Sequence, residues 1–191
     1  DTTPSRRSPA DLLDRLKELL QDMHWTRFEA MVPLMVGRMI EVRLIAARTG
    51  YQDGADAGTA GRGGRRLRVE AKRYTSAFDA RDIIGGIRQA IARDPALECW
   101  VACATRDIPE QLANALEAEG ANAGVPVMTI AWDDDRAPLL AALCTQDPAI
   151  VTEYGGEEAG NIAQALTEDL KDAREYLSRE LEVWRIGFEQ L

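Results

Sequence analysis

Three charged residues, Asp56, Glu70 and Lys72, have the types and the spacing for phosphodiester chemistry. Glu70 and Lys72 lie two residues apart in the run 67–74, whose alternation predicts a strand, so both side chains share one face. Asp56 lies fourteen residues before Glu70, on the preceding strand of a predicted hairpin, and antiparallel pairing can bring the carboxylates together. Carboxylates bind Mg²⁺, and a lysine beside them can orient a water and stabilise developing charge. The pattern predicts a metal-dependent hydrolytic site.

The same alternation has a simpler interpretation. If the strand lay at the edge of a sheet, Glu70 and Lys72 would form an ordinary solvent-facing charged pair.

The basic residues of the chain are unevenly distributed. The formal net charge is −9, yet the run 61–73 contains six Arg or Lys residues and one Glu. Because phosphate attraction needs local positive charge, this run is the predicted contact with a nucleic-acid backbone. The candidate phosphate contacts are Arg62, Arg65, Arg66, Arg68 and Arg73.

Hydrophobic spacing predicts the element order α, three strands, α, strand, α, strand, α, which is an α/β fold with a mixed central sheet and flanking helices. In the helix predicted over 78–93, Gln89 lies on the same stripe as Gly86, away from the isoleucines. Pro33, inside an earlier predicted helix, suggests a kink or an early break. Apolar residues every seven positions predict a connecting helix over 161–191, capped by Asn161.

Glu29 has two interpretations. Thr26 and Glu29 have the spacing of a helix capping box, which explains the glutamate without any function. Alternatively, its carboxylate is a further metal ligand.

These residues, on this element order, resemble the PD-(D/E)XK, or restriction-endonuclease-like, nucleases. Asp56 followed by Glu70-Ala71-Lys72 matches the signature, although Ala55 stands where the family has proline. The run Gly50-Tyr-Gln-Asp-Gly-Ala-Asp56 is similar to the turn of Mrr-like members, and Gln89 matches their helix glutamine. The resemblance implies a double-stranded DNA substrate, Mg²⁺ or alternatively Mn²⁺, with Asp56 and Glu70 as ligands and Lys72 and Gln89 as further catalytic residues.

This resemblance implies an organisation of the chain. Residues 24–156 form the nuclease domain, 1–23 a helical extension and 157–191 a connecting helix toward a further module. The segments 100–105, 130–132 and 148–155 are similar to the N-terminal nuclease domains of bacterial antiviral STAND-type NTPases. That similarity implies an effector that works as a homo-oligomer.

Two alternatives stay open: a Holliday-junction or repair nuclease of the same fold, and a DNA-binding or interaction domain that does not cleave. No apolar run reaches the roughly 18 residues of a membrane span, and the first ten residues lack the apolar region of a signal peptide. We therefore expect a cytoplasmic protein without a membrane partner.

Overall fold

A mixed β-sheet forms the centre of the fold in the computed structural model, which describes residues 7–40, 44–46, 57–59, 66–72 and 79–189. Its strand order within these residues is β1-β2-β3-β4-β5. β1 pairs with β2 and β2 with β3 in antiparallel fashion, whereas β3, β4 and β5 are parallel. The α/β class and the mixed sheet are confirmed. The strands are β1 (Leu44–Ala46), β2 (Ala57–Thr59), β3 (Arg66–Lys72), β4 (Leu97–Ala104) and β5 (Val127–Ile130).

Helices precede, connect and follow these strands. Two come before the sheet, one crosses from β3 to β4, one crosses from β4 to β5, and four follow β5. None of the described helices has the length and apolar content needed to span a membrane. The helices are α1 (Pro9–Asp22), α2 (Trp25–Met39), α3 (Ala80–Arg93), α4 (Glu110–Asn122), α5 (Leu139–Gln146), α6 (Pro148–Gly155), α7 (Glu157–Ala165) and α8 (Lys171–Glu189).

The two faces of β3 have different surroundings. Val69 and Ala71 are fully buried in one hydrophobic cluster with the apolar side of α2. The opposite face of the sheet packs against α3 and α4 through a second cluster, which contains Ile83, Ile87 and Trp100. Because side chains alternate along a strand, Glu70 belongs to this second face.

The helices at both ends of the chain pack into the same core as the sheet. Leu16 of α1 and Leu177 of α8 are fully buried in the cluster that holds Val69. Arg15 of α1 also makes a two-point contact with Glu158 of α7, at 2.8 and 2.9 Å. The helices outside the predicted nuclease segment thus cover one face of its sheet.

One prediction about α2 is wrong, and one of the two alternatives predicted at Pro33 is excluded. The predicted capping box at Thr26 does not form, because α2 begins at Trp25 and the Nδ1 atom of His24 accepts from the Thr26 N–H. The early break at Pro33 does not occur either, since α2 continues to Met39. An interior proline costs about 3 kcal/mol. Burial of residues on both sides of it, including Met31 and Val36, outweighs that local cost.

The predicted single helix over 161–191 is also wrong. Asn161 lies inside α7, which begins after Gly156, a residue with a φ of 91° that favours glycine. A turn over 166–170 separates α7 from α8. The Arg174 guanidinium holds this turn by donating to the Thr167 carbonyl at 2.9 Å.

Candidate active site

The pair Glu70 and Lys72 lies on an interior strand. β3 has β2 on one side and β4 on the other, and Glu70 is only 5% exposed. The interpretation as a solvent-facing pair on an edge strand is therefore wrong. Burying a carboxylate costs several kcal/mol unless it is paired or hydrogen-bonded, so its position calls for a compensating charge.

Lys72 supplies positive charge to this carboxylate. Its Nζ atom lies 3.5 Å from Oε1 of Glu70. Counting side-chain atoms alone, Lys72 is 19% exposed and Glu70 is 7% exposed. The strand places the two residues on one face, as the alternation predicts. Lys72 is therefore the more exposed residue of the pair.

The neighbouring strand leaves room for the two charged side chains. Ala102 of β4 is in register with Glu70, and Ala104 is in register with Lys72. Both alanines are buried in the cluster beneath α3. Larger residues at these two positions would compete with the charged pair for the same space.

Gly86 brings α3 directly against the carboxylate. The Oε2 atom of Glu70 is completely buried, and a Cβ atom built on Gly86 would overlap it. The same Cβ would lie 3.0 Å from Oε1 and from the carboxyl carbon. A side chain at position 86 would therefore force the Glu70 carboxylate to shift.

The contribution of Gly86 was missed in the sequence analysis, which noted only the stripe that it shares with Gln89. The available signal is the pair Gly85-Gly86 inside a helical pattern, because each interior glycine costs about 1 kcal/mol relative to alanine. A costly glycine in a helix suggests a close contact at that position.

Gln89 lies on α3, three residues beyond Gly86, and is half-buried. This spacing puts it one helical turn along the side that faces Glu70. Its assignment to the site stays a prediction.

Asp56 lies outside the described residues. The residue after it, Ala57, pairs with Val69, the residue before Glu70. The pairing of Asp56 with Glu70 itself stays a prediction.

Glu29 is half-buried on α2. α2 packs on the Val69 and Ala71 face of the sheet, opposite to the face that carries Glu70. With the capping box excluded, the proposed metal role of Glu29 stays a prediction.

The predicted phosphate contacts fall largely outside the described part of the chain. This holds for Arg62, Arg65 and Arg73, and for the side chains of Arg66 and Arg68, whose backbone belongs to β3. Asp56, the second predicted metal ligand, also lies outside the described residues. Among the described residues, no three His, Cys, Asp or Glu side chains are grouped to hold a metal ion.

A cavity of about 490 Å³ lies at another part of the sheet, beyond the ends of β4 and β5. Asp107, Asp133 and Asp172 line it, and none of the predicted site residues does. Burial, followed by repulsion from Asp133, raises the pKa of Asp107. The cavity and the Glu70 pair are therefore separate features, and only the pair carries the predicted hydrolytic chemistry.

Comparison of the chain with protein-family models, with curated proteins and with solved structures finds no match. The interpretation of the site consequently rests on its own geometry and on the sequence motifs.

The charge pair predicts a thermodynamic coupling. Lys72→Met removes the ammonium that faces a buried carboxylate, so the free energy of unfolding should fall by about 2 kcal/mol at pH 7. Glu70→Gln in the same chain should recover at least half of this loss, because the buried charge is then absent. Urea unfolding of the two single variants and the double variant measures the coupling.

Lys171→Met is the matched control, because Lys171 is exposed on α8. It should change the free energy of unfolding by less than about 0.5 kcal/mol. Strictly additive effects of Lys72→Met and Glu70→Gln would contradict an energetic pairing of the two side chains.

Proposed function

We propose that this chain is a metal-dependent DNA endonuclease domain with a restriction-endonuclease-like core. The observation that carries the proposal is the buried Glu70 carboxylate beside the Lys72 ammonium on an interior strand. A charged pair in such a position adds little net stability compared with apolar residues, so a chemical role accounts for it better.

The element order supports the same proposal. A helix precedes three strands, of which the third carries Glu70 and Lys72, and α3 then crosses to the parallel strand β4. The nucleases that this chain resembles have the same arrangement around their catalytic residues. The proposal puts Asp56 beside Glu70, and the described pairing that supports it is that of Ala57 with Val69.

The chemistry of the donors fits a divalent cation. Carboxylate oxygens are the ligands that Mg²⁺ and Mn²⁺ prefer. Gly86 leaves room for the Glu70 carboxylate on the side of α3 that faces the sheet. In the proposal Glu70 and Asp56 hold the ion, and Glu29 is not assigned to it, because α2 packs on the opposite face of the sheet. When bound, the ion would lower the pKa of a water and neutralise phosphate charge.

Lys72 would act on the substrate itself. Its ammonium can donate to a water and to a phosphate oxygen, which orients the attack and stabilises the charge that develops. Gln89 would support this geometry by hydrogen bonding, without holding the ion. The arginines of the run 61–73 would contact DNA phosphates, which positions the duplex without reading its sequence.

A Holliday-junction or repair nuclease would use the same residues and differ only in the DNA structure that it cuts. A domain that binds DNA without cleaving it would not need the buried Glu70 carboxylate beside Lys72. This pair favours the catalytic interpretation over the binding one.

The first experiment measures nicking of plasmid DNA with Mg²⁺, with Mn²⁺ and with EDTA. Asp56→Asn, Glu70→Gln and Lys72→Met should each reduce cleavage at least about a hundredfold, because each removes a charge on which hydrolysis depends. Gln89→Ala should have a milder effect, since it only supports the others.

Glu117→Gln is the control for the carboxylates, because Glu117 is exposed on α4. It should retain wild-type cleavage. Activity that persists in EDTA, or in all three charge variants, would rule out the proposed mechanism.

The basic run predicts a measurable salt dependence. Replacing Arg62, Arg65 and Arg66 together by Ala should weaken DNA binding for all sequences, and each lost phosphate contact should lower the slope of log K against log salt by about 0.9. Fluorescence anisotropy with a labelled duplex at several salt concentrations measures the slope. Lys171→Ala with Arg179→Ala, both on α8, is the control and should leave it unchanged.

We also propose a cytoplasmic effector role in antiviral defence, with cleavage activated by oligomerisation. Cutting both strands of a duplex with one site per chain calls for two chains, and the net charge of −9 opposes DNA binding outside the basic run.

Fusion to a dimerising module should therefore raise double-strand cleavage per chain at least about tenfold through effective concentration. The control is the same fusion with a point mutation that abolishes dimerisation. Equal rates for both fusions at low concentration would contradict activation by oligomerisation.

A further inference from the structure

We propose that Gly86 is a positioning residue, which seats the Glu70 carboxylate against α3 and so sets the affinity of the site for a divalent cation. The effect on the cation rests on the proposed function, whereas the seating itself does not. The observation that carries the inference is the overlap that any Cβ atom at position 86 would make with the Glu70 carboxyl group.

The adjacent glycine shows that this constraint is local. A Cβ atom built on Gly85 meets nothing within 4 Å, although Gly85 belongs to the same helix and is exposed. Both glycines reduce the intrinsic stability of α3. Only Gly86 has a structural reason in the surrounding packing.

α3 has little freedom to move away from Glu70. On the same helix, Ile83 and Ile87 are buried in the cluster that contains Trp100. Arg88 forms an ion pair with Glu119 of α4. A side chain at position 86 would therefore displace the carboxylate rather than the helix, and the distance from Glu70 to Lys72 would change with it.

A thermal unfolding cycle tests the seating. Gly86→Ala should lower Tm by about 4 to 10 °C in the wild-type background, because it overfills a packed site. In the Glu70→Ala background the same change should not lower Tm, since the space has been vacated. In the Glu70→Gln background the loss should persist, because the amide has nearly the shape of the carboxylate. Gly85→Ala is the matched control and should raise Tm by about 2 to 4 °C.

Calorimetric titration with Mn²⁺ tests the consequence for the cation, at a temperature well below every Tm. Gly86→Ala should raise the Kd for Mn²⁺ about tenfold to a hundredfold, whereas Gly85→Ala should leave it unchanged. A loss of stability alone would not move the Kd of the folded chain, so this measurement separates positioning from a merely structural contribution.

The outcomes distinguish the seating of Glu70 by Gly86 from its effect on cation affinity. An equal effect of Gly86→Ala on Tm in the wild-type and Glu70→Ala backgrounds would overturn the seating. A coupled Tm with an unchanged Kd would overturn the effect on the cation. A wild-type chain that binds no Mn²⁺ would overturn both that effect and the proposed metal site, while the Tm cycle would still decide the seating.

Discussion

Gly86 and Lys72 accommodate the buried Glu70 carboxylate from two sides. Gly86 lets α3 approach without a side chain in between, and Lys72 places its ammonium 3.5 Å from Oε1. A side chain at position 86 would displace the carboxylate, and loss of the Lys72 ammonium would remove positive charge from beside a buried anion. The packing of α3 and the electrostatics of β3 are thus one constraint, and the small residues Ala102 and Ala104 on β4 meet the same requirement.

The alternation of β3 lets one strand serve two purposes. Val69 and Ala71 face the larger cluster, which also receives residues from helices at both ends of the chain. Glu70 and Lys72 face the other side, where the burial of Ile87 and Trp100 holds α3 in place. β3 pairs with β4 from Arg66 to Lys72 and with β2 at Arg68 and Val69, so it is held from both sides. A rigid backbone of this kind suits side chains whose separation matters.

The sequence predicted the α/β class, the strand carrying Glu70 and Lys72, and the helix carrying Gln89, because these depend on strong local periodicity. It failed where tertiary packing overrides local signals. At Pro33, burial along α2 outweighs the local cost of an interior proline. Asn161 lies inside α7 because Gly156 provides an earlier helix start. The importance of Gly86 depends on an approach between two elements, which periodicity within one helix does not reveal.

The difference in exposure between Glu70 and Lys72 indicates the side from which a ligand would reach them. Oε2 of Glu70 is closed off by Gly86, whereas the Lys72 side chain at the end of β3 keeps 19% of its exposure. Ligands of α/β proteins commonly bind beyond the carboxyl ends of parallel strands, and β3 ends at Lys72 beside the parallel strand β4. A phosphate approaching from that end would meet the ammonium before the carboxylate. Attraction by Lys72 would therefore come first, and the buried Glu70 would be kept from direct repulsion of the incoming anion.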